Sequence, residues 1–300
     1  MSRNFESFYD QIARNKRNSL ILLAAVFLVV FALVYVIGYV MAPGNAFVIF
    51  AFASVLAIFY VWGGYYYSDK IALAAAHAVP ADGPEYEHYR NIVEGLSIAA
   101  GLPMPRPYVM KSPDINAFAT GRDPKHAAVC VTTGALEKLS DAELEGVLAH
   151  ELSHIRHYDI RFVTLVSVLV GLASIVSQLF LRSLWLGARS RDRDDGLGIL
   201  LLLLGIVLAI VAPLVVKLVQ LAISRKREYM ADAGAVQLTR TPTGLISALR
   251  KIEQYNKGRV PATSATAPMY IANPFKKDIS GLFRTHPPIE DRIRALEAMM

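Results

Sequence analysis

The sequence contains one cysteine in 300 residues, Cys130. No disulfide can form within the chain, so a disulfide-stapled secreted scaffold is excluded. The part of the chain outside the apolar runs is expected to face a reducing compartment. Cys130 lies in the apolar run 127–131 and reads as a buried strand residue rather than a nucleophile. Internal repeats and low-complexity tracts are also lacking, which argues against a solenoid or a long disordered tail. The most informative shortage is of charge. Residues 20–41, 46–67, 162–181 and 197–216 hold no Asp, Glu, Lys or Arg, in a chain that is 54% hydrophobic. Uncharged runs of that length point to membrane insertion rather than to an oily core.

The positive charge that is present, a formal +6, gathers beside these runs, as at Arg14, Lys16 and Arg17. There it sets orientation and meets anionic lipid, so no nucleic-acid partner is expected. The first run is too long for a signal-peptide core and long enough to span as a helix. After Pro43-Gly44-Asn45, the second run ends in Tyr60, Trp62, Tyr65, Tyr66 and Tyr67, an interfacial aromatic cluster. These two runs form a helical hairpin with an uncharged outer turn and a cytoplasmic N-terminus. The other two form a second hairpin, bent at Pro213, that is either fully spanning or shallow. Arg182, Arg189, Arg191 and Arg193 in its loop fit poorly with the orientation rule.

Residues 1–68 are therefore assigned to a cytoplasmic tail and the first hairpin, and 162–220 to the second. Residues 69–161 and 221–300 form the two halves of a catalytic domain. In the first half, residues 84–100 look helical. Runs 115–119 and 127–131 read as strands around the turn Gly121-Arg122-Asp123-Pro124, giving a small, partly antiparallel sheet. Ser140 and Glu143 open a helix as a capping box. The second half reads as helix, loop, helix, with the Pro-, Ser-, Thr- and Ala-rich stretch 258–281 as a mobile loop. Arg225-Lys226-Arg227 marks the cytoplasmic end of the fourth run. The expected fold class is α+β, mainly α-helical and integral to the membrane.

His150-Glu151-Leu152-Ser153-His154, an HExxH pattern, falls on the helix opened by Ser140. Histidines at i and i+4 project from one face and can reach one zinc ion, while Glu151 is rotated by about 100° toward a metal-bound water. Zinc brings the pKa of that water to about 7, and a neighbouring carboxylate takes its proton as attack on a carbonyl begins. HExxH recurs by accident, so context decides. A catalytic zinc needs a third protein ligand. His157 continues the same face but sits too far along the axis, and the longer HExxHxxGxxH signature is absent. Glu228 is the better candidate, delivering a carboxylate from a second helix. Asp232, four residues on, can accept the free N–H of a liganding histidine and fix its tautomer. Without the HExxH, Glu228 and Asp232 would read as a solvated acidic stripe. Two apolar runs separate His154 from Glu228, so an even number of crossings returns the chain to the same side, near the membrane surface.

These motifs, in this order, resemble the HtpX-like membrane metallopeptidases, which are related to CAAX prenyl proteases. The resemblance spans nearly the whole chain. It rests on the paired N-terminal runs, Asn116-Ala117-Phe118-Ala119-Thr120-Gly121, residues 150–159 and 224–232, and Thr285-His286-Pro287-Pro288. It implies a cytoplasmic gluzincin domain with one zinc per chain at His150, His154 and Glu228. It also implies endopeptidase action on damaged or misassembled membrane proteins, in a bacterial inner membrane and under stress, with polypeptides and the lipid bilayer as partners. Asn116, Ala117, Phe118 and Ala119 would form an edge strand that pairs with extended substrate. His286 and Arg292 would face the developing oxyanion. The block 285–292 reads equally well as a helix N-terminus with a surface histidine. Two other functions stand beside this one: a dedicated CAAX-type processing peptidase and a non-catalytic membrane scaffold. The small number of apolar runs weighs against an enclosed chamber of the first kind, and the intact Glu151 weighs against the second.

Overall fold

A computed structural model of the chain describes residues 43–165, 227–258, 269–272 and 287–300. It also describes the isolated positions 17, 21, 24, 28, 31, 32, 34, 35, 168, 171, 172, 175, 178, 182, 203, 206 and 260. Apart from those isolated positions, the predicted runs 20–41 and 197–216, and most of 162–181, lie outside the described residues. The chain divides into two compact units. One comprises Lys16–Tyr66 and Leu165–Val219, the other Met1–Asn15, Tyr67–Thr164 and Gln220–Met300.

In the first unit, a 3-10 turn at Pro43–Asn45 leads into helix α1, Ala46–Tyr66. At about 1.5 Å per residue this helix is about 31 Å long, close to the thickness of a bilayer's hydrocarbon core. Phe47, Phe52 and Phe59 are each at least 65% exposed. Its segment Phe47–Tyr66 is, among the described residues, the one helix long and apolar enough to cross a membrane. Phe31 and Tyr35 meet Phe50 edge to face, with ring centroids 6.1 and 5.9 Å apart.

The second unit is built on a four-stranded sheet: β1 (Val79–Pro80), β2 (Arg106–Met110), β3 (Ala117–Thr120) and β4 (Ala128–Thr132), in the order β1-β2-β4-β3. β2 and β4 run parallel, and the two outer pairs are antiparallel. The strands begin one or two residues later than the apolar runs predict. The cause is side-chain bonding that replaces the ladder at the entry: the Ile115 N–H donates to Asn256 Oδ1 (2.7 Å) and the Asn116 N–H to Thr132 Oγ1 (3.0 Å). Around the sheet lie α2 (Ser68–Ala75), α3 (Glu87–Ala100), α4 (Thr133–Lys138), α5 (Asp141–Arg156) and α6, which starts at residue 159. The C-terminal half adds α7 (227–239), α8 (Thr243–Tyr255) and α9 (Ile289–Glu297). Its described residues therefore hold three helices where the sequence suggested two. Arg240, left-handed at φ 61°, and Pro242 together end α7 before α8 begins.

Helix α5 is the hub. Its apolar positions Leu144, Val147, Leu148, Leu152 and Ile155 recur at helical spacing, and all are buried. Two neighbouring helices approach it closely through glycines. A Cβ on Gly146 would lie 2.6 Å from the Leu245 nitrogen of α8, and one on Gly234 of α7 would lie 2.0 Å from Ser153 Oγ. Those contacts bring the polar residues of α7 against the HExxH turn of α5.

The start of α5 is fixed by its capping box. Glu143 accepts from the Ser140 N–H (2.7 Å), Ser247 Oγ (2.5 Å) and Lys251 Nζ (2.7 Å), tying α5 to α8. Burial alone would raise the Glu143 pKa, but Lys251 and Ser247 outweigh it and hold the carboxyl below its ordinary range. A depressed folded pKa contributes stability above the unfolded value of about 4.3, and that stability is lost as pH falls through the folded pKa. Glu143→Gln should therefore lower the Tm of the detergent-solubilised protein at pH 7, with the gap narrowing toward pH 3. A gap as large at pH 3 as at pH 7 would contradict the assignment.

Candidate active site

The two histidines of the HExxH turn lie one above the other on α5, with ring centroids 4.8 Å apart and planes at 89°. Their Nε2 atoms are 3.2 Å apart. Glu228, on α7, brings Oε1 to 3.4 Å from His154 Nε2 and Oε2 to 3.7 Å from His150 Nε2. Zinc–ligand bonds of 2.0–2.2 Å in a tetrahedron imply ligand–ligand edges of about 3.3 Å. The three side chains stand close to that spacing, so they fit a metal. Among the described residues, they are the group of His and acidic side chains that converges in this way.

Each histidine is held from behind. His150 Nδ1 donates to Asp232 Oδ1 (2.9 Å), and His154 Nδ1 donates to Asp159 Oδ2 (3.1 Å). Both bonds leave Nε2 free to face the metal position and fix the tautomer that can ligate. Asp232 is in turn gripped by Arg292 at 2.9 Å (Nε) and 2.6 Å (Nη2). Arg227 lies 3.8 Å from Asp159 with its guanidinium 4.3 Å over the Phe162 ring. Two Arg–Asp–His series thus converge on one point.

Charge supports the same reading. Glu151, Asp159, Glu228 and Asp232 are four carboxylates no more than 5% exposed, and Arg227 and Arg292 are guanidiniums no more than 6% exposed. With neutral imidazoles the cluster is two negative charges in surplus, which a divalent cation would cancel. Buried charge left unbalanced is costly. The surplus also raises the proton affinity of the histidines. Burial opposes charging of His154, but Asp159 and Glu228 outweigh it and push its pKa up to about 10. Burial pushes the Glu151 carboxyl above its ordinary range, against the pull of His150 and His154. Both Glu151 oxygens are buried without a hydrogen bond of good geometry, which suits a group that meets its partner only during reaction.

A cleft opens onto this cluster. Ala119, Ile160, Val163, Met269, Tyr270 and Ile271 form its apolar wall. The family model described as Peptidase family M48 matches residues 85–300, which include all of these groups. The chain belongs to peptidase family M48. It is a metallopeptidase, in a family that is zinc-dependent in general. "Protease HtpX homolog" of Caldanaerobacter subterraneus subsp. tengcongensis is 46% identical over 296 residues, covering 98% of each chain. The protein of the same name from Dictyoglomus thermophilum is 45% identical over 293 residues, covering 98% of this chain and 95% of its own. The one from Streptococcus uberis is 40% identical, covering 97% and 99%. Among solved structures, S. mikatae Ste24p shares the fold with a TM-score of 0.51 at 20% identity. That match covers 95% of this chain and 66% of the longer one, just under two thirds.

The M48 chain brings together His150, Glu151, His154, Glu228 and Asp232. His157 stands apart as the C-cap of α5, its Nδ1 3.2 Å from Ser153 Oγ. His286 lies outside the described residues. Arg292 is buried at the site: its nitrogens engage Asp232 and the Ile271 carbonyl (3.0 Å), and its Nη1 lies 3.6 Å from Glu228 Oε2. Arg227, read from sequence as a marker of a membrane run's end, is buried in the site instead. Burial pushes the Cys130 thiol up, in keeping with a packing role. β3 does end the sheet, but its outer edge at Ala117 and Phe118 is taken by the chain itself. The Ile271 N–H donates to the Ala117 carbonyl (2.9 Å), and Phe118 and Tyr270 form an antiparallel bridge. Residues 269–272 of the stretch predicted as a mobile loop are therefore part of the site. Asp159, Arg227 and Tyr270 were missed. For Asp159 a signal existed, a carboxylate shortly after the second histidine.

Carboxylates that orient a metal's histidines typically account for about 10–100-fold in metal affinity. Asp159→Asn and Asp232→Asn should each weaken zinc binding by that factor in competition against a chromogenic chelator. Wild-type affinity in both would remove them from the site.

Proposed function

We propose that this M48 metallopeptidase is a membrane-integrated zinc endopeptidase with one zinc per chain, held by His150, His154 and Glu228. Its polypeptide substrates are misfolded or damaged membrane proteins, cut at the cytoplasmic face of a bacterial inner membrane as part of a stress response. The observation that carries the chemistry is the near-tetrahedral spacing of those three side chains beside a buried, unbonded Glu151. When bound, zinc acts as a Lewis acid on the scissile carbonyl and acidifies a water molecule. Glu151 accepts that water's proton on a carboxylate oxygen and later gives it to the departing amine. Asp159 and Asp232 hold the Nδ1 protons of the two imidazoles and so aim each Nε2 at the metal position. The apolar wall of the cleft excludes bulk water and receives substrate side chains.

Membrane integration is supported by α1, whose length matches the hydrocarbon core and whose phenylalanines face outward. Trp62 and Tyr66, with tilted rings 5.0 Å apart near its end, suit an interfacial position. The relatives named as HtpX proteases support the protease reading. The Ste24p likeness speaks to fold alone and gives no reason to prefer a prenylated substrate.

Glu151→Gln removes the proton acceptor and leaves the three ligands. It should retain zinc and lose about 10²–10⁴-fold in casein cleavage in detergent. A variant that holds zinc and cleaves like wild type would eliminate Glu151 from the mechanism. Wild type that holds zinc and cleaves nothing would favour the scaffold reading.

A further inference from the structure

An open strand edge recognises peptide through outward-facing backbone groups, which alternate along the strand. On β3 those groups belong to Ala117 and Ala119. They do not have the same neighbours. The Ala117 carbonyl already accepts from Ile271, and Ala119 faces the cleft beside Glu151. The short segment Met269-Tyr270-Ile271-Ala272 therefore occupies, within the chain, one half of the surface that an extended polypeptide would use.

This segment is built in rather than laid on. Asn116 Nδ2 donates to the Ala272 carbonyl (3.0 Å), and Asn116 Oδ1 accepts from the Ala272 N–H (3.3 Å). Arg292 Nη1 donates to the Ile271 carbonyl. Tyr270, 1% exposed, sets its ring 4.9 Å from that of Phe118, with its hydroxyl toward Met110 Sδ at 4.0 Å. Backbone bonds at Ile271 and Ala272, together with two fully buried side chains, hold it in register. A peptide and this segment cannot both pair with Ala117. Carrying the Phe118–Tyr270 register on by one residue sets Met269 opposite Ala119, the position nearest the chemistry.

We propose that residues 269–272 are a fixed strand that caps the Asn116–Phe118 end of the cleft, and that Met269 forms the subsite wall selecting an apolar side chain beside the scissile bond. This rests on the proteolytic reading above. With Met269 opposite Ala119, the strand confines substrate pairing to the β3 edge beyond Ala119, so only a short extended stretch is gripped by its backbone. Selectivity then comes from the side chain that meets the wall. Arg292 bonds both to this strand and to Asp232 behind His150, so one guanidinium registers the wall against the metal cradle.

The test is a peptide series varied at each position flanking the cleaved bond, presented to zinc-loaded full-length enzyme in detergent. kcat/KM ratios between peptides are read, because a general loss of folded enzyme cancels in the ratio. Met269→Ala should enlarge the subsite and shift preference toward Phe and Trp at one flanking position. Met269→Glu should shift the same position from apolar toward Lys and Arg, with a change in ratio of about tenfold or more, the range a single contact in a pocket can supply. Ratios equal to wild type at every position in both variants would overturn the assignment while leaving the protease intact. A zinc-loaded wild type that cleaves neither the peptides nor casein would overturn the proteolytic reading, and this inference with it.

Discussion

Four buried carboxylates around two imidazoles cannot be carried by a protein interior unless cations answer them. Much of the second unit is arranged to supply those cations. Helix α5 is buried along most of its length, so His150 and Glu151 sit where water cannot help. Arg227 comes from α7 and Arg292 from α9. The divalent metal completes the balance. The close approaches at Gly234 and Gly146 have the same purpose, since a wider gap between helices would let the carboxylates drift from their partners.

The two Arg–Asp–His series make the site rigid before substrate arrives. A histidine pinned at Nδ1 cannot turn its Nε2 away, and Asp232, held by two hydrogen bonds from Arg292, cannot rotate to release His150. Such preorganisation costs nothing at the moment of reaction. Glu151 is the exception: it is buried and lacks good hydrogen bonds. A fully satisfied carboxylate would be a poor proton acceptor, so the local cost is consistent with its task.

The features legible in the sequence were those that depend on helical period. His150, Glu151 and His154 follow from i, i+4 spacing, and Asp232 follows from Glu228 in the same way. The capping box at Ser140 was equally plain. What escaped depends on tertiary contacts with no local pattern. Asp159 reaches back to His154 because Tyr158 adopts a left-handed conformation, φ 59°, that ends α5 and restarts the chain at α6. Such a φ is unusual for a bulky residue, and the sequence does not announce it. Arg227 sits in a basic triplet that reads as a topology marker. Tyr270 lies in a Pro-, Ser- and Thr-rich stretch whose strand-like pairing is imposed by Asn116 and Arg292, not by β propensity. The shifted strand starts have a similar origin, in side chains that substitute for ladder bonds.

The account's central claim is a metal held by two imidazoles and one carboxylate. X-ray absorption at the zinc edge of enzyme purified without added metal reads that ligand set directly. The expected result is a first shell of nitrogen and oxygen at about 2.0–2.2 Å, with the multiple-scattering signature of two imidazoles and no sulfur. Three imidazoles would bring His157 into the site in place of Glu228, and that result would contradict the account.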